Sequence, residues 1–260
     1  MQIIDLIPDN LKSYFVCLEE YSEEMKDAGD HKERWYNEMK DKGLRVKLAV
    51  MDDGKLGGMI HYLPAEQSFI EGEGLYFIPC IWVHGHKAGV GNVQKRGMGK
   101  ALLAAAEEDV RQLGAKGLAA WGLLLPFWMK ASWFKKHGFV KADRLGFQML
   151  LWKPFEPDLT PPKWIRQQKT PDQIPGKVVV SAFVNGWCPA QNIVYERAKR
   201  AAAEFGEKVV FQTYSTLQRA VLSEWGITDG LFIDGKLIQH GPPLSYEKIK
   251  SLIAKRVRKL

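Results

Sequence analysis

The chain has 260 residues, a length that suits two domains better than one. Its hydrophobic share of 46% and charged share of 26% are those of an ordinary soluble globular protein, and no apolar run reaches the roughly 18 residues that cross a bilayer. Three cysteines, Cys17, Cys80 and Cys188, are too few and too scattered for a disulfide framework and form no paired zinc motif, while the net charge of +7 favours polyanionic ligands, with nucleic acid the less favoured of these. Met1 to Asp9 lacks a basic region followed by a long apolar stretch, so no signal peptide is expected and the cytoplasm is the expected location. No metal site is expected.

In chain order, Gln2 to Leu6 reads as a short strand, and Asp9 or Asn10 caps a helix from Leu11 to about Lys26. A second helix spans His31 to Lys42 and stops at Gly43. Val46, Leu48 and Val50 alternate with their neighbours, Asp53-Gly54 supplies a hairpin turn, and Leu56 to Tyr62 returns. Leu75 to Val83 is a mostly apolar strand buried on both faces. Lys100 to Leu113 is a helix closed by Gly114, and Gly117 to Leu123 is another buried strand. Pro126 opens a helix that ends at Gly138, and Phe147 to Trp152 is a strand.

Six prolines between Lys153 and Gly176 exclude a long helix or a central strand there. The expected organisation is a first domain over residues 1–153, a stiff connector over 154–175 and a second domain over 176–260. In the second, Lys177 to Val184 and Val209 to Tyr214 are strands. Pro189 to Phe205 and Leu217 to Trp225 are helices. Gly230 to Leu237 forms a hairpin around Asp234-Gly235, and Ser245 caps a last helix from Tyr246 to Arg256.

The sharpest motif is Gln94-Lys95-Arg96-Gly97-Met98-Gly99-Lys100, between a buried strand and a helix. Glycines let the backbone approach a ligand. A helix start carries partial positive charge, and the two together suit a pyrophosphate. Lys95, Arg96 and Lys100 add full charges.

Gln-x-x-Gly-x-Gly in this setting resembles the signature of the GNAT superfamily of N-acyltransferases. Ser132-Trp133-Phe134-Lys135-Lys136-His137-Gly138-Phe139 resembles the helix-end pattern of the same family, and the element order from Met1 to Trp152 fits its fold. The resemblance implies an α/β chain with a mixed sheet and acetyl-CoA as co-substrate. It also implies direct transfer of an acetyl group to a small-molecule or peptide amine in a ternary complex. Gln94, Gly97 and Gly99 would hold the CoA pyrophosphate, with Lys95, Arg96, Met98 and Lys100 on the same loop. The main chain of Ile81, Trp82 and Val83 would pair with the pantetheine arm. A homodimer is compatible with the sequence.

The sequence departs from the family in two places. His84 to Val93 is longer than the usual link from strand to signature, as an insertion or a longer strand would make it. Phe134 stands where many members carry a tyrosine that protonates the leaving thiolate. Cys80, behind Pro79, is a candidate nucleophile or pocket wall. Glu73, and after it Glu71, His84 and His86, are candidate bases. Trp121, Trp128 and Trp133 read as core or pocket wall.

Gly186-Trp187-Cys188-Pro189 follows a strand and opens a helix, where the dipole favours a thiolate. The layout resembles a thioredoxin-like domain, but Gln191 stands where a second cysteine would be, so Cys188 is a candidate single reactive thiol, for redox or soft-metal binding, in an alternative reading with a degenerate CoA domain. Together with the segment from Gly241 to Ile249, the combination resembles the YoaP-like proteins.

Overall fold

The computed structural model describes residues 1–125, 128–238 and 242–260. The helix start expected at Pro126 and the segment start at Gly241 lie outside the described residues. The class is mixed α/β, as expected. Internal contacts divide the chain into two compact units, residues 1–21 with 37–164, and residues 22–36 with 165–260. Residues 22–36, which the sequence places with the N-terminal half, thus cluster with the C-terminal one. No helix among the described residues is long and apolar enough to cross a membrane.

The first unit is built on strands β1 (Gln2–Asp5), β2 (Arg45–Val50), β3 (Leu56–Pro64), β5 (Leu75–Val83), β6 (Gly117–Leu123), β7 (Val140–Leu145) and β8 (Gln148–Pro154). They form one sheet in the order β1-β2-β3-β5-β6-β8-β7. Only β5 and β6 run parallel; every other neighbouring pair is antiparallel. A separate two-stranded ladder joins β4 (Ile70–Glu71) to β9 (Lys163–Trp164). The proline-rich stretch is therefore not a free connector throughout, since Lys163–Trp164 pairs as strand and belongs to the first unit. Trp164 is buried, stacks parallel to Phe69 and donates its amide to Asp143.

The helix expected over residues 11–26 is much shorter. Helix α1 covers Leu11–Phe15 and ends because Cys17 (φ 53°) and Leu18 (φ 64°) take left-handed backbone. Helix α2 (His31–Met39) is followed by a short 3-10 turn and closed by Gly43 at φ 91°. Helix α3 (Met98–Gln112) buries Met98, Leu102, Leu103, Ala106 and Val110, a stripe at three- and four-residue intervals. It comes down closely on β3. A Cβ on Gly57 would lie 2.7 Å from the Met98 Cε, and one on Gly58 would lie 3.0 Å from the Leu102 Cδ1. Asp109 clamps the far half of α3 to the sheet, accepting from Arg45 Nε and Nη2 at 2.9 Å each and from the Tyr62 hydroxyl at 2.6 Å. Burial alone would raise the Asp109 carboxyl. The bonds from Arg45 and Tyr62 and the charge of Lys47 hold it below the usual carboxylate range instead. Helix α4 (Ala131–Lys136) buries Ala131 and Phe134. β7 was not read from the sequence, because its pattern is that of a mostly exposed edge strand with no apolar alternation.

The second unit carries β10 (Val178–Val184), α5 (Pro189–Ala203), β11 (Val209–Ser215), α6 (Arg219–Trp225), β12 (Gly230–Ile233), β13 (Lys236–Leu237) and α7 (Tyr246–Val257). The order β-α-β-α-β-β-α is the one expected. The sheet order is β11-β10-β12-β13, with β10 and β11 parallel and the other pairs antiparallel. Every residue of β10 is buried, so its apolar run has no alternation. On one face Val178, Val180, Ala182 and Val184 pack with Val194, Ala198, Ile249 and Ile253. On the other, Phe183 stacks on Tyr214 and meets Trp225 and Phe232. The Ser245 side chain caps α7, accepting from the Lys248 amide at 3.3 Å.

Candidate functional site

The sheet of the first unit splits at its centre. β5 and β6 pair from Leu75↔Gly117 to Ile78↔Ala120, and there the ladder ends. Both strands continue, β5 to Val83 and β6 to Leu123. Each continuation stays paired to its outer neighbour, Cys80 to Val83 with β3 and Trp121 to Leu123 with β8. Proline at position 79 offers no amide to extend the ladder. Its carbonyl is taken by the Trp121 indole, whose Nε1 donates at 2.8 Å. The strands therefore part into a wedge whose edges are Cys80–Val83 and Trp121–Leu123.

At the end of β5 lies the glycine motif. Gly97, at φ 82°, stands before the first turn of α3, and no side chain caps that helix. In an α-helix the first amides have no partner within the helix. Lys95, Arg96, Gly97 and Lys100 are exposed, while Met98 is buried and anchors the loop. A Cβ on Gly97 would meet nothing within 4 Å, so glycine is required there for its dihedral angle and not for space. One on Gly99 would lie 3.5 Å from Trp133 of α4 and 3.7 Å from Val83 of β5. The uncapped helix start is thus beside the open end of the wedge, with three cations around it. Gln94 is turned toward the strand; its Nε2 donates to the Val83 carbonyl at 3.1 Å, in space that Gly85 leaves free.

The long link is loop and not further strand, since β5 ends at Val83. His84 holds it. This residue is 0% exposed, its Nδ1 is 2.8 Å from the Gly91 carbonyl and its Nε2 is 3.1 Å from the Tyr21 hydroxyl. Both ring nitrogens are engaged, so His84 ties the link to Tyr21 and to its own main chain. His86 is exposed and faces Glu19 at 3.5 Å. Glu71 and Glu73 are exposed and precede β5 at its opposite end, about 20 Å from Cys80 along the strand. The structure does not bring Glu73 to the wedge. Phe134 is buried against Phe139 and Trp133, so its position on α4 offers no proton.

Cys80 does lie at the wedge, 5% exposed, and its cross-strand partner on β3 is His61, 1% exposed. The register of β3 against β5 shifts just after this pair. The sequence offered one signal for His61, a lone imidazole inside the otherwise apolar run Met59 to Leu63. Its pairing with Cys80 is a matter of register, which the sequence alone leaves open.

In the second unit Cys188 is partly exposed and stands immediately before α5, which no side chain caps. Behind the motif lies Asp229. Its carboxyl is enclosed, although the residue as a whole keeps some exposure. Oδ1 accepts from the Asn185 amide at 3.0 Å and Oδ2 from the Trp187 indole at 3.1 Å. Burial pushes the carboxyl up to about 6, against the pull of these two bonds. Asn192, buried in the first turns of α5, donates to the Gly186 carbonyl at 2.9 Å. Asp229 was not a sequence candidate for this neighbourhood, because the bond that brings it there spans more than forty positions.

Protein-family models give no match to this chain, and neither do curated proteins. Among solved structures, an aminoglycoside 6'-acetyltransferase type Ii is similar at 18% identity and a TM-score of 0.46, over 60% of this chain and 99% of that one. The PaiA N-acetyltransferase from Thermoplasma acidophilum, in complex with coenzyme A, is similar at 19% identity and a TM-score of 0.43, over 60% and 100%. A GNAT family N-acetyltransferase (YhbS) from Escherichia coli, in complex with CoA, is similar at 14% identity and a TM-score of 0.44, over 61% and 86%. At such distances the chemistry of this chain rests on its own residues.

Proposed function

We propose that the first unit is a GNAT-type N-acetyltransferase that moves an acetyl group from acetyl-CoA to a small-molecule or peptide amine. One observation carries this reading. The β5–β6 ladder stops at Ile78↔Ala120, and the same end of β5 meets an uncapped, cation-flanked helix start. The amides of Met98, Gly99 and Lys100 hold the pyrophosphate, helped by Lys95, Arg96 and Lys100. The pantetheine arm lies along Ile81, Trp82 and Val83, and the Gln94 side chain gives up the Val83 carbonyl to it. The thioester then sits in the wedge, where main-chain amides polarise its carbonyl. In its simplest form the acetyl group passes directly to the amine in a ternary complex, with water protonating the thiolate in place of the side chain that Phe134 lacks.

Titration calorimetry with acetyl-CoA tests the binding half, and CoA release from a panel of primary amines tests the transfer half. Saturable binding together with amine-dependent release is expected. No binding by the intact chain overturns the reading.

A second reading is supported by Cys188 at the start of α5, next to Trp187, whose indole bonds the enclosed Asp229. Under it the second unit is a thioredoxin-like, YoaP-like monothiol module, and the first a degenerate scaffold. It would prevail if Cys188→Ala abolished the only detectable activity while Gly99→Trp left it intact.

A further inference from the structure

We infer that the acceptor amine carries a single positive charge on a flat apolar body, and that Glu19 and Trp82 recognise these two parts on the face of the wedge away from α3. The inference rests on the acetyl-CoA reading above and adds the class of its second substrate.

The two faces of the wedge differ. A Cβ on Gly99 of α3 would lie 3.7 Å from Val83, so Val83 points to the α3 face of the sheet. Alternation along β5 turns its neighbour Trp82 to the other face. On β6, a Cβ on Gly122 would lie 2.7 Å from the Ala131 Cα of α4, so the preceding Trp121 points away from α4. A Cβ on Gly99 would also lie 3.5 Å from Trp133 of α4, so α3 and α4 share one face and the two indoles share the other. Trp121 lies across the base of the wedge, where its Nε1 bonds the Pro79 carbonyl, and Trp128 stands edge-on to it at 5.3 Å. The coenzyme takes the helix side, through its pyrophosphate at α3. The indole side is left for the second substrate.

Two segments close over that side. Tyr62 reaches Asp109 on α3, so His61 of β3 points to the indole side, and there the Tyr14 hydroxyl of α1 is 3.1 Å from His61 Nδ1. The chain after α1 continues to Tyr21, whose hydroxyl is 3.1 Å from His84 Nε2. The second segment is the link over residues 84–93. It folds back on itself, the Val93 amide donating to the His84 carbonyl at 3.0 Å, and a Cβ on Gly89 would lie 2.6 Å from the Tyr21 ring. Where the two segments meet, His86 lies 5.8 Å from Trp82, ring to ring, and its Nε2 is 3.5 Å from Glu19 Oε1. The Glu19 side chain is 15% exposed. It follows directly on the left-handed backbone of Cys17 and Leu18, strain of the kind that collects where a site fixes a side chain.

A shielded carboxylate near an indole suits one ammonium joined to a ring, since the charge gains a counter-ion and the ring gains an aromatic wall. A polycation needs several carboxylates. Residues 84–93 supply none; they bring His84, His86 and Lys87. Glu20, beside Glu19, is exposed to solvent. A polyamine or an aminoglycoside would therefore meet one enclosed counter-charge and a lysine, and a lysine side chain would leave the indoles without a ring to cover. An arylalkylamine finds a partner for each of its two parts.

The test is CoA release by the full chain at saturating acetyl-CoA, with tryptamine, 2-phenylethylamine, spermidine, kanamycin and a lysine-containing peptide as acceptors. The two arylalkylamines are expected to exceed the others in kcat/KM by about 10-fold or more. Glu19→Gln is expected to raise the KM for tryptamine about 10-fold or more, with acetyl-CoA affinity by calorimetry unchanged, and Glu19→Asp to recover part of the loss. Trp82→Ala is expected to erase the preference for aromatic acceptors, which Trp82→Phe keeps. A purely structural role would move acetyl-CoA affinity and the melting temperature along with KM. The inference is overturned, and the acetyl-CoA reading left standing, if spermidine, kanamycin or the peptide is the best acceptor, or if Glu19→Gln leaves the tryptamine KM unchanged. Acetyl-CoA binding with turnover of neither arylalkylamine overturns it too. Failure of the wild-type chain to bind acetyl-CoA at all strikes at the reading itself.

Discussion

Two helices of this chain begin in the same way and are dressed for different work. Both α3 and α5 follow a buried strand, and neither has a side-chain cap. At α3 the residue before the helix is a glycine in left-handed backbone, and the flanking side chains are exposed cations. At α5 it is a cysteine in extended backbone, followed by proline, with the enclosed carboxyl of Asp229 bonded to the neighbouring Trp187. The same partial positive charge is left open to a mobile anion in one unit. In the other the residue before the helix is itself a thiol whose anion that charge would favour. A helix start is thus a generic resource, and the residues around it decide whether it recruits a ligand or tunes a side chain.

The comparison breaks most visibly at Gly99. An indole at that position has Trp133 and Val83 in its way and would cover the amides, so Gly99→Trp is expected to weaken acetyl-CoA binding on the order of 100-fold or more, about 3 kcal/mol. Calorimetry reads the loss, and thermal melting shows whether the fold is kept. Alkylation of Cys188 in the other unit should be unchanged.

The next effect concerns Asp229. Its carboxyl is raised to about 6 in the folded chain, from near 4 when unfolded. The neutral form is therefore the better accommodated one. The stability this contributes is fully present below about pH 4 and is lost as pH rises toward 6, by at most about 3 kcal/mol. Asp229→Asn should flatten that window in urea titrations of the second unit, while the first unit keeps its own pH dependence.

Smaller effects sharpen the contrast. Gly97→Ala places a Cβ in left-handed backbone, at a cost of about 1–2 kcal/mol in stability, and is expected to weaken acetyl-CoA binding several-fold by shifting the amides. Ser245→Ala removes the one side-chain cap seen on α7 and is expected to lower stability by about 1 kcal/mol, with no change in ligand binding. A larger loss there would mean that α7 does more than cover its sheet.

Much of this architecture is written locally. The ends of α3 are marked by Gly97 and Gly114, and the start of α7 by Ser245, because turn dihedrals and caps are short-range requirements. The glycine motif before α3 was legible for the same reason. The break after α1 was not, since Cys17 and Leu18 adopt left-handed backbone without the glycine that would announce it. Glu73 looked close to Cys80 in sequence, but a strand separates what a helix would bring together. The pairing of His61 with Cys80 and of Asp229 with Trp187 could not be read, because it comes from strand register and from long-range closure. Local signals marked the glycine loop; the pairings of side chains across strands are assembled by topology.

The pair Gly57-Gly58 sets a further constraint. Because β3 presents bare backbone there, Met98 and Leu102 can settle directly on the strand. Any side chain at either position acts as a shim beneath the first turn of α3. It would push the ends of the Met98 and Leu102 side chains aside and so change how the helix start is seated, although it touches no ligand. The seating of the proposed diphosphate site is therefore gauged by a strand forty residues upstream.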